Sequence, residues 1–302
     1  MPRAGMGSSA RPFGVGLPGV QQIPSRVQPW ERELDGDALI AVARAAEDAG
    51  FAWVSASDHV AVPASRAAAM GATWYDAGST LAFVAGGTRK IRLLAHVVVL
   101  PYRHPLVVAK QWGTLDRLSG GRVILGVGSG HLKPEFASVG ADFTRRGRIT
   151  DESVAAVVAA WESEVATFAG KTIAFRDVLV SPRPAQSPRP PVWVGGNSAA
   201  AIRRAARLGD GWIPWQLSLD DFRAATRTVA GERAAGGRAG DFAFVAPLGV
   251  PAEATADAVA AEAAGWAAAG ATAFHVGVGA RSLREFHDRL GWFAAHVAPR
   301  LG

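Results

Sequence analysis

Apolar residues fall along the chain in two alternating patterns: short unbroken runs, and longer stretches in which they recur every three or four positions. The runs predict strands at residues 13–17, 52–56, 91–99, 123–127, 192–194, 211–213, 242–250 and 272–276. The periodic stretches predict helices at 37–49, 76–85, 106–118, 145–164, 198–208, 220–235, 255–269 and 283–297. In the first helix Leu39, Val42, Ala46 and Ala49 share one face, and Gly50 stands where a left-handed C-terminal cap belongs. Strands that are apolar throughout are buried on both faces, as a parallel sheet with helical crossovers requires. Eight strand–helix units in 302 residues fit a closed (β/α)8 barrel, with a doubly wound open sheet as the alternative. The rhythm breaks once, between the fourth helix and the fifth strand. There residues 171–191 carry Pro182, Pro184, Pro188, Pro190 and Pro191 and read as an insertion, a candidate lid or interface. One barrel domain is expected over 13–302, and a disordered segment over 1–12.

Composition narrows the classes. With 49% apolar residues the chain can bury a large core, which excludes disordered and fibrous classes. Zero Cys removes disulfides, thiolate metal clusters and cysteine nucleophiles, and fits a cytoplasmic protein. The net charge of +6 raises nucleic acid as a partner, but the arginines are interspersed with acids, as in Glu31-Arg32-Glu33, and no basic run forms a patch. No apolar stretch approaches the ~18 residues of a membrane span. Neither nucleic acid nor a membrane is expected as a partner.

In a barrel of this type the chemistry sits just after the strands. Asp58-His59 follow the second strand, His96 to Pro101 lie in or after the third, Gly128-Ser129-Gly130-His131 follow the fourth and Gly195-Gly196-Asn197-Ser198 the fifth. Glycines there let backbone amides approach a ligand. The spacing Gly14-x-Gly16-x-x-Gly19 imitates a dinucleotide fingerprint, yet no helix is predicted to open from it, so it reads as a chance match. His59, His96, His131 and His275 also fall on or after strands, which keeps a metal-dependent hydrolase as an alternative. Against it, the first strand has no His-x-His pair and acidic ligands are sparse, so no metal is assigned.

Five blocks carry a family resemblance: Ser57-Asp58-His59; Arg89 to Leu93 running through His104-Pro105 to Leu115-Asp116-Arg117-Leu118-Ser119-Gly120-Gly121-Arg122; Leu125 to Gly130; Pro191 to Ser198; and Leu208-Gly209-Asp210-Gly211-Trp212. In this order they resemble the bacterial luciferase-like monooxygenases, and most of all their branch using the deazaflavin coenzyme F420. The resemblance implies an F420-dependent oxidoreductase exchanging hydride with a small alcohol, carbonyl or activated alkene, with an FMN-dependent monooxygenase as the alternative. It implies a homodimer and, for some members, a separate cofactor-reducing enzyme. By the same resemblance Asp58, His59, Val97, Val98, Gly128, Ser129, Gly130, Val194, Gly195, Gly196 and Asn197 contact the cofactor, with a bulge and a non-proline cis peptide near Val97-Val98. His59 is then the proton shuttle, oriented by Asp58 or a backbone carbonyl, because imidazole titrates near neutrality. Relatives acting on a sugar phosphate carry a Glu after the turn that follows the fourth strand; here that slot holds His131, expected to assist His59. Trp30, Trp74, Tyr75 and Trp215 are expected to rim the substrate pocket.

Overall fold

Strands Phe13–Gly16, Trp53–Ala56, Arg92–Ala95, Val123–Gly128, Val192–Gly195, Gly211–Ile213, Ala243–Val250 and Ala273–Val278 form, in this order, the eight staves of a parallel barrel. The computed structural model describes residues 11–302. Each stave pairs in parallel with its neighbours, the first pairs with the eighth, and pairing of the third with the fourth closes the ring. The third stave is interrupted by a cis His96–Val97 peptide and resumes as Val98–Val99 beside the fourth. The expected (β/α)8 fold is therefore what the chain adopts.

Eight main helices cover the barrel, and polar side chains start most of them: Asp35, Asp76, Ser198, Ser218, Thr255 and Ser282 each accept a bond from a first-turn amide. Beyond the expected elements stand a short helix Ala64–Met70 after the second stave and another, Lys133–Ser138, after the fourth. The insertion begins earlier than its prolines indicate. Ala166–Ala169 pairs antiparallel with Ala174–Val178, and the Glu152 carboxylate accepts bonds from Thr172 N at 2.7 Å and Ile173 N at 3.0 Å at its tip. Beyond Val178 the insertion forms no further strand before the fifth stave, and none of its residues is among those lining the cavity at the barrel mouth. The disorder expected at the N-terminus lies, for residues 1–10, outside the described residues. Arg11, by contrast, donates to Ala271 O at 3.0 Å and to Leu301 O at 2.7 Å.

Alternation along the staves sorts two cores. Val54, Leu93, Val98, Val194, Ala246 and Phe274 face outward into the helix layer, whereas Trp53, Leu94, Ile124, Trp193, Ile213, Val245 and Ala273 fill the barrel interior. Trp53 and Trp193 meet edge to face, 5.2 Å between ring centroids at 89°. They fit because Gly14 and Gly211 carry no side chain: a Cβ on either would sit 2.2 Å from the Trp53 ring or 2.6 Å from the Trp193 ring. Gly14 thus serves interior packing, and the segment after Gly19 opens no α-helix, which removes the dinucleotide reading. Among the described residues no helix is long and apolar enough to cross a membrane.

Candidate active site

A cavity of about 370 Å³ opens at the C-terminal ends of the staves, a volume in the range of small-molecule sites. Asp58, His59, Trp74, His96, Val97, Tyr102, Gly130, His131, Gly195, Gly196 and Trp215 line it, together with Gln21, Ile23, Ala69, Met70 and Ile213.

His59 projects from the loop after the second stave, with its ring perpendicular to that of His131 at 6.0 Å and edge-on to Trp74 at 4.5 Å. Its Nδ1 lies 2.8 Å from Glu135 Oε2. Glu135 is buried, and four donors converge on its carboxylate: His59 Nδ1, Tyr102 Oη at 3.0 Å, Val60 N at 2.7 Å and Ala61 N at 3.1 Å. Burial opposes ionisation of Glu135, but the bonds from His59 and from the two amides outweigh it and hold the acid below its usual range. The same burial, with Glu135 beside it, pushes Tyr102 far above its ordinary value, so the phenol stays a donor. An ionised carboxylate surrounded by donors fixes the His59 tautomer: Nδ1 carries a proton, and Nε2 is left to give or take one on the cavity side.

Glu135 is aimed inward by its neighbour. Phe136 is fully buried, packing on Tyr102 at 4.7 Å and Phe143 at 5.2 Å, and Leu132 is buried one turn earlier. The short helix is pinned on that face, which turns Glu135 toward the second-stave loop. His131, expected as the assisting group, stands over His59 rather than bonding to it, and burial and the charge of His59 lower its pKa.

Asp58 does not orient His59. Its carboxylate takes both Arg103 terminal nitrogens, at 2.6 and 2.7 Å, and Val99 N at 3.0 Å, which ties the resumed third stave to the second-stave loop. Val98 and Val194 belong to the outer core by strand alternation, so their side chains face away from the cavity. Gly128 and Gly195 make room for Val97: a Cβ on them would fall 2.7 and 2.9 Å from its methyl groups. Ser129 is not part of the cavity wall. Asn197 is occupied, accepting from Trp215 N at 3.0 Å and donating to Trp215 O, so it secures the loop after the sixth stave. Trp30 lies away from the cavity, its Nε1 donating to Ala280 O at 3.0 Å and its ring on Phe286. Tyr75 and Trp74 are consecutive in a segment that pairs with residues 20–22, so they point to opposite sides, and Tyr75 is exposed.

The spacing of motifs missed Glu135, Tyr102 and Arg103, and it missed the helix that supplies Ala69 and Met70. The signal for Glu135 was the buried pair Leu132 and Phe136 at helical spacing around it. Below His59, His96 and His275 stand edge to face at 4.7 Å in the barrel interior. The four strand-end imidazoles therefore form two separate pairs, and among the described residues no group of three potential ligands comes together.

A family model for luciferase-like monooxygenases matches residues 12–297, and the chain belongs to that family. It is 31% identical over 155 residues to an FMNH2-dependent dimethylsulfone monooxygenase of Pseudomonas putida, covering 50% of this chain and 42% of that protein. To an F420-dependent hydroxymycolic acid dehydrogenase of Mycobacterium tuberculosis it is 32% identical over 203 residues, covering 66% of this chain and 55% of that one. The chain thus spans about half the length of these curated relatives. Among solved structures it resembles an F420-dependent secondary alcohol dehydrogenase bound to an F420–acetone adduct, with a TM-score of 0.79 at 16% identity over 97% of this chain and 99% of the other. Relatives of both cofactor types within one oxidoreductase family leave a flavin-type cofactor as the shared expectation and displace the metal-dependent hydrolase alternative.

Proposed function

We propose that the protein is an F420-dependent oxidoreductase that interconverts a small, largely apolar alcohol and its carbonyl compound at the barrel mouth. The observation that carries this reading is His59, held through Nδ1 by the buried Glu135 with Nε2 toward a cavity walled by Ile23, Met70, Trp74, Val97 and Trp215. The residues present suit a planar heterocycle: Val97 offers an apolar wall, Gly130 and Gly196 take positive φ and leave backbone free at the rim, and the partly open His96 presents polar ring edges. Bound deazaflavin would supply a two-electron hydride acceptor or donor. The chain's own part is the proton: as an alcohol carbon gives up hydride, His59 Nε2 takes the hydroxyl proton, and in the reverse direction it returns it. Glu135 stabilises the resulting imidazolium, and Tyr102 and the two amides keep that carboxylate ionised. The longer match to the F420-dependent relative, 66% of the chain against 50%, favours the deazaflavin over FMN.

The test is titration of the protein with F420 and with FMN, each oxidised and reduced, following quenching of tryptophan fluorescence, then turnover assays on secondary alcohols and ketones. Binding of F420 at least about tenfold tighter than FMN, with alcohol-dependent reduction of F420, is expected. Tight FMN binding with oxygen-dependent turnover would overturn the proposal in favour of a monooxygenase.

A further inference from the structure

Inside the barrel, one turn of side-chain layers below His59, two imidazoles share a space and differ in how they are satisfied. His275 Nδ1 accepts from Trp53 Nε1 at 3.3 Å, which leaves its Nε2–H for Ser55 Oγ at 3.5 Å. His96 sits edge to face with it and has no side-chain hydrogen bond to any described residue. Among the described residues the fully occluded side-chain nitrogens and oxygens without partners are Ser153 Oγ, His287 Nε2 and Arg289 Nε. The His96 ring is not sealed in that way: it is partly open and lines the mouth cavity.

We infer that His96 is a ligand-contacting, specificity-determining residue: it gives the floor of the cavity one hydrogen-bonding point, which a carbonyl, hydroxyl or ring N–H of the bound ligand completes. The inference rests on the oxidoreductase reading only for the identity of that ligand, a flavin-type heterocycle or the substrate beside it. A half-buried imidazole without a partner carries a desolvation cost that a ligand relieves on binding. Among the described residues its ionisable ring neighbour is His275, and no charged group acts on it. Burial accordingly pushes His96 down to about 4, so at neutral pH the ring is uncharged. A neutral imidazole holds one N–H and one lone pair and selects its tautomer by what it meets, so it accommodates either a donor or an acceptor but leaves an apolar edge unrewarded. His59 moves the proton; His96 chooses which ligand edge lies below it.

The experiment compares wild type with His96→Leu and His96→Gln, measuring the melting temperature of the ligand-free protein and the Kd for F420 and for FMN by tryptophan quenching. An unpartnered side chain predicts that the Leu variant melts within about 2 °C of wild type or above it, binds the preferred coenzyme or its ketone substrate at least tenfold more weakly, and that Gln restores most of that loss. Unchanged coenzyme Kd together with unchanged substrate KM in the Leu variant would overturn the inference. So would melting several degrees lower in both variants, which would show that the ring is satisfied within the fold. If wild type binds neither coenzyme, the functional reading fails and the melting comparison alone decides on His96.

Discussion

Replacing Glu135 by Gln isolates what the buried carboxylate does for His59. The carboxylate accepts four hydrogen bonds, two on each oxygen: the amides of Val60 and Ala61 on Oε1, and His59 Nδ1 and Tyr102 Oη on Oε2. A carboxamide of the same shape keeps one acceptor oxygen. With that oxygen on the two amides, the new NH2 meets His59 Nδ1 and Tyr102 Oη, which had been donors. His59 answers by switching tautomer, so that Nδ1 accepts and Nε2 carries the proton on the cavity side. In that form it cannot take a proton from an alcohol, and the stabilising negative charge is gone. Turnover in the oxidising direction is expected to fall by about 10²–10³, with substrate KM changed less than about threefold, because the lost interaction belongs to the reacting proton. The Tyr102 hydroxyl loses its acceptor, a cost of about 1–3 kcal/mol, seen as a drop of a few degrees in melting temperature. Steady-state kinetics of F420 reduction and a thermal melt on the same preparation read both effects. A Gln variant within about threefold of wild-type turnover would refute the assignment of Glu135 as the group that positions His59.

Three further outcomes follow from the geometry. Arg103→Leu strands the buried Asp58 carboxylate and should cost about 3–5 kcal/mol in urea unfolding, with most of it recovered by adding Asp58→Asn; additive losses would show the pair to be uncoupled. His96 and His275 are both held below their ordinary range by burial, so the unfolded chain binds more protons than the fold below about pH 6.5. Stability is full above that value and declines as pH falls, about 2 kcal/mol from His96 alone between pH 7 and 5, and His96→Leu should remove that share; equal pH sensitivity in both proteins would count against it. Gly128→Ala places a methyl 2.7 Å from Val97 Cγ2 and should push that side chain into the cavity, weakening coenzyme binding at least about tenfold, while Gly128→Ala with Val97→Ala restores it; no change in Kd for the single variant would remove Val97 as a wall.

The barrel was legible because its signals are local. Runs such as Leu93-Leu94-Ala95 and caps such as Ser198 and Ser282 act within a few residues, and eight repeats of one unit leave few topologies. The site was legible only where chemistry is tied to a strand end, as with His59. Part of what the glycines do was hidden, since Gly14, Gly128, Gly195 and Gly211 also answer to the bulk of Trp53, Val97 and Trp193 across the barrel, contacts that sequence order does not reveal. Strand parity turns the side chains of Val98 and Val194 outward, which leaves only their backbone at the barrel's inner edge. For Trp30 and Tyr75 the sequence offers only aromatic character, which says nothing about which side of a loop a ring occupies. Glu135 was hidden because one acid on a six-residue helix has no periodic signature until Phe136 anchors the segment.

The paired indoles of Trp53 and Trp193 stopper the barrel from below, with Leu94, Ile124 and Val245 sealing the gaps around them. That plug leaves the mouth end as the open approach to His59. A coenzyme lodged deeper there than its substrate would have to enter first and exit last, an order that product-inhibition patterns would display.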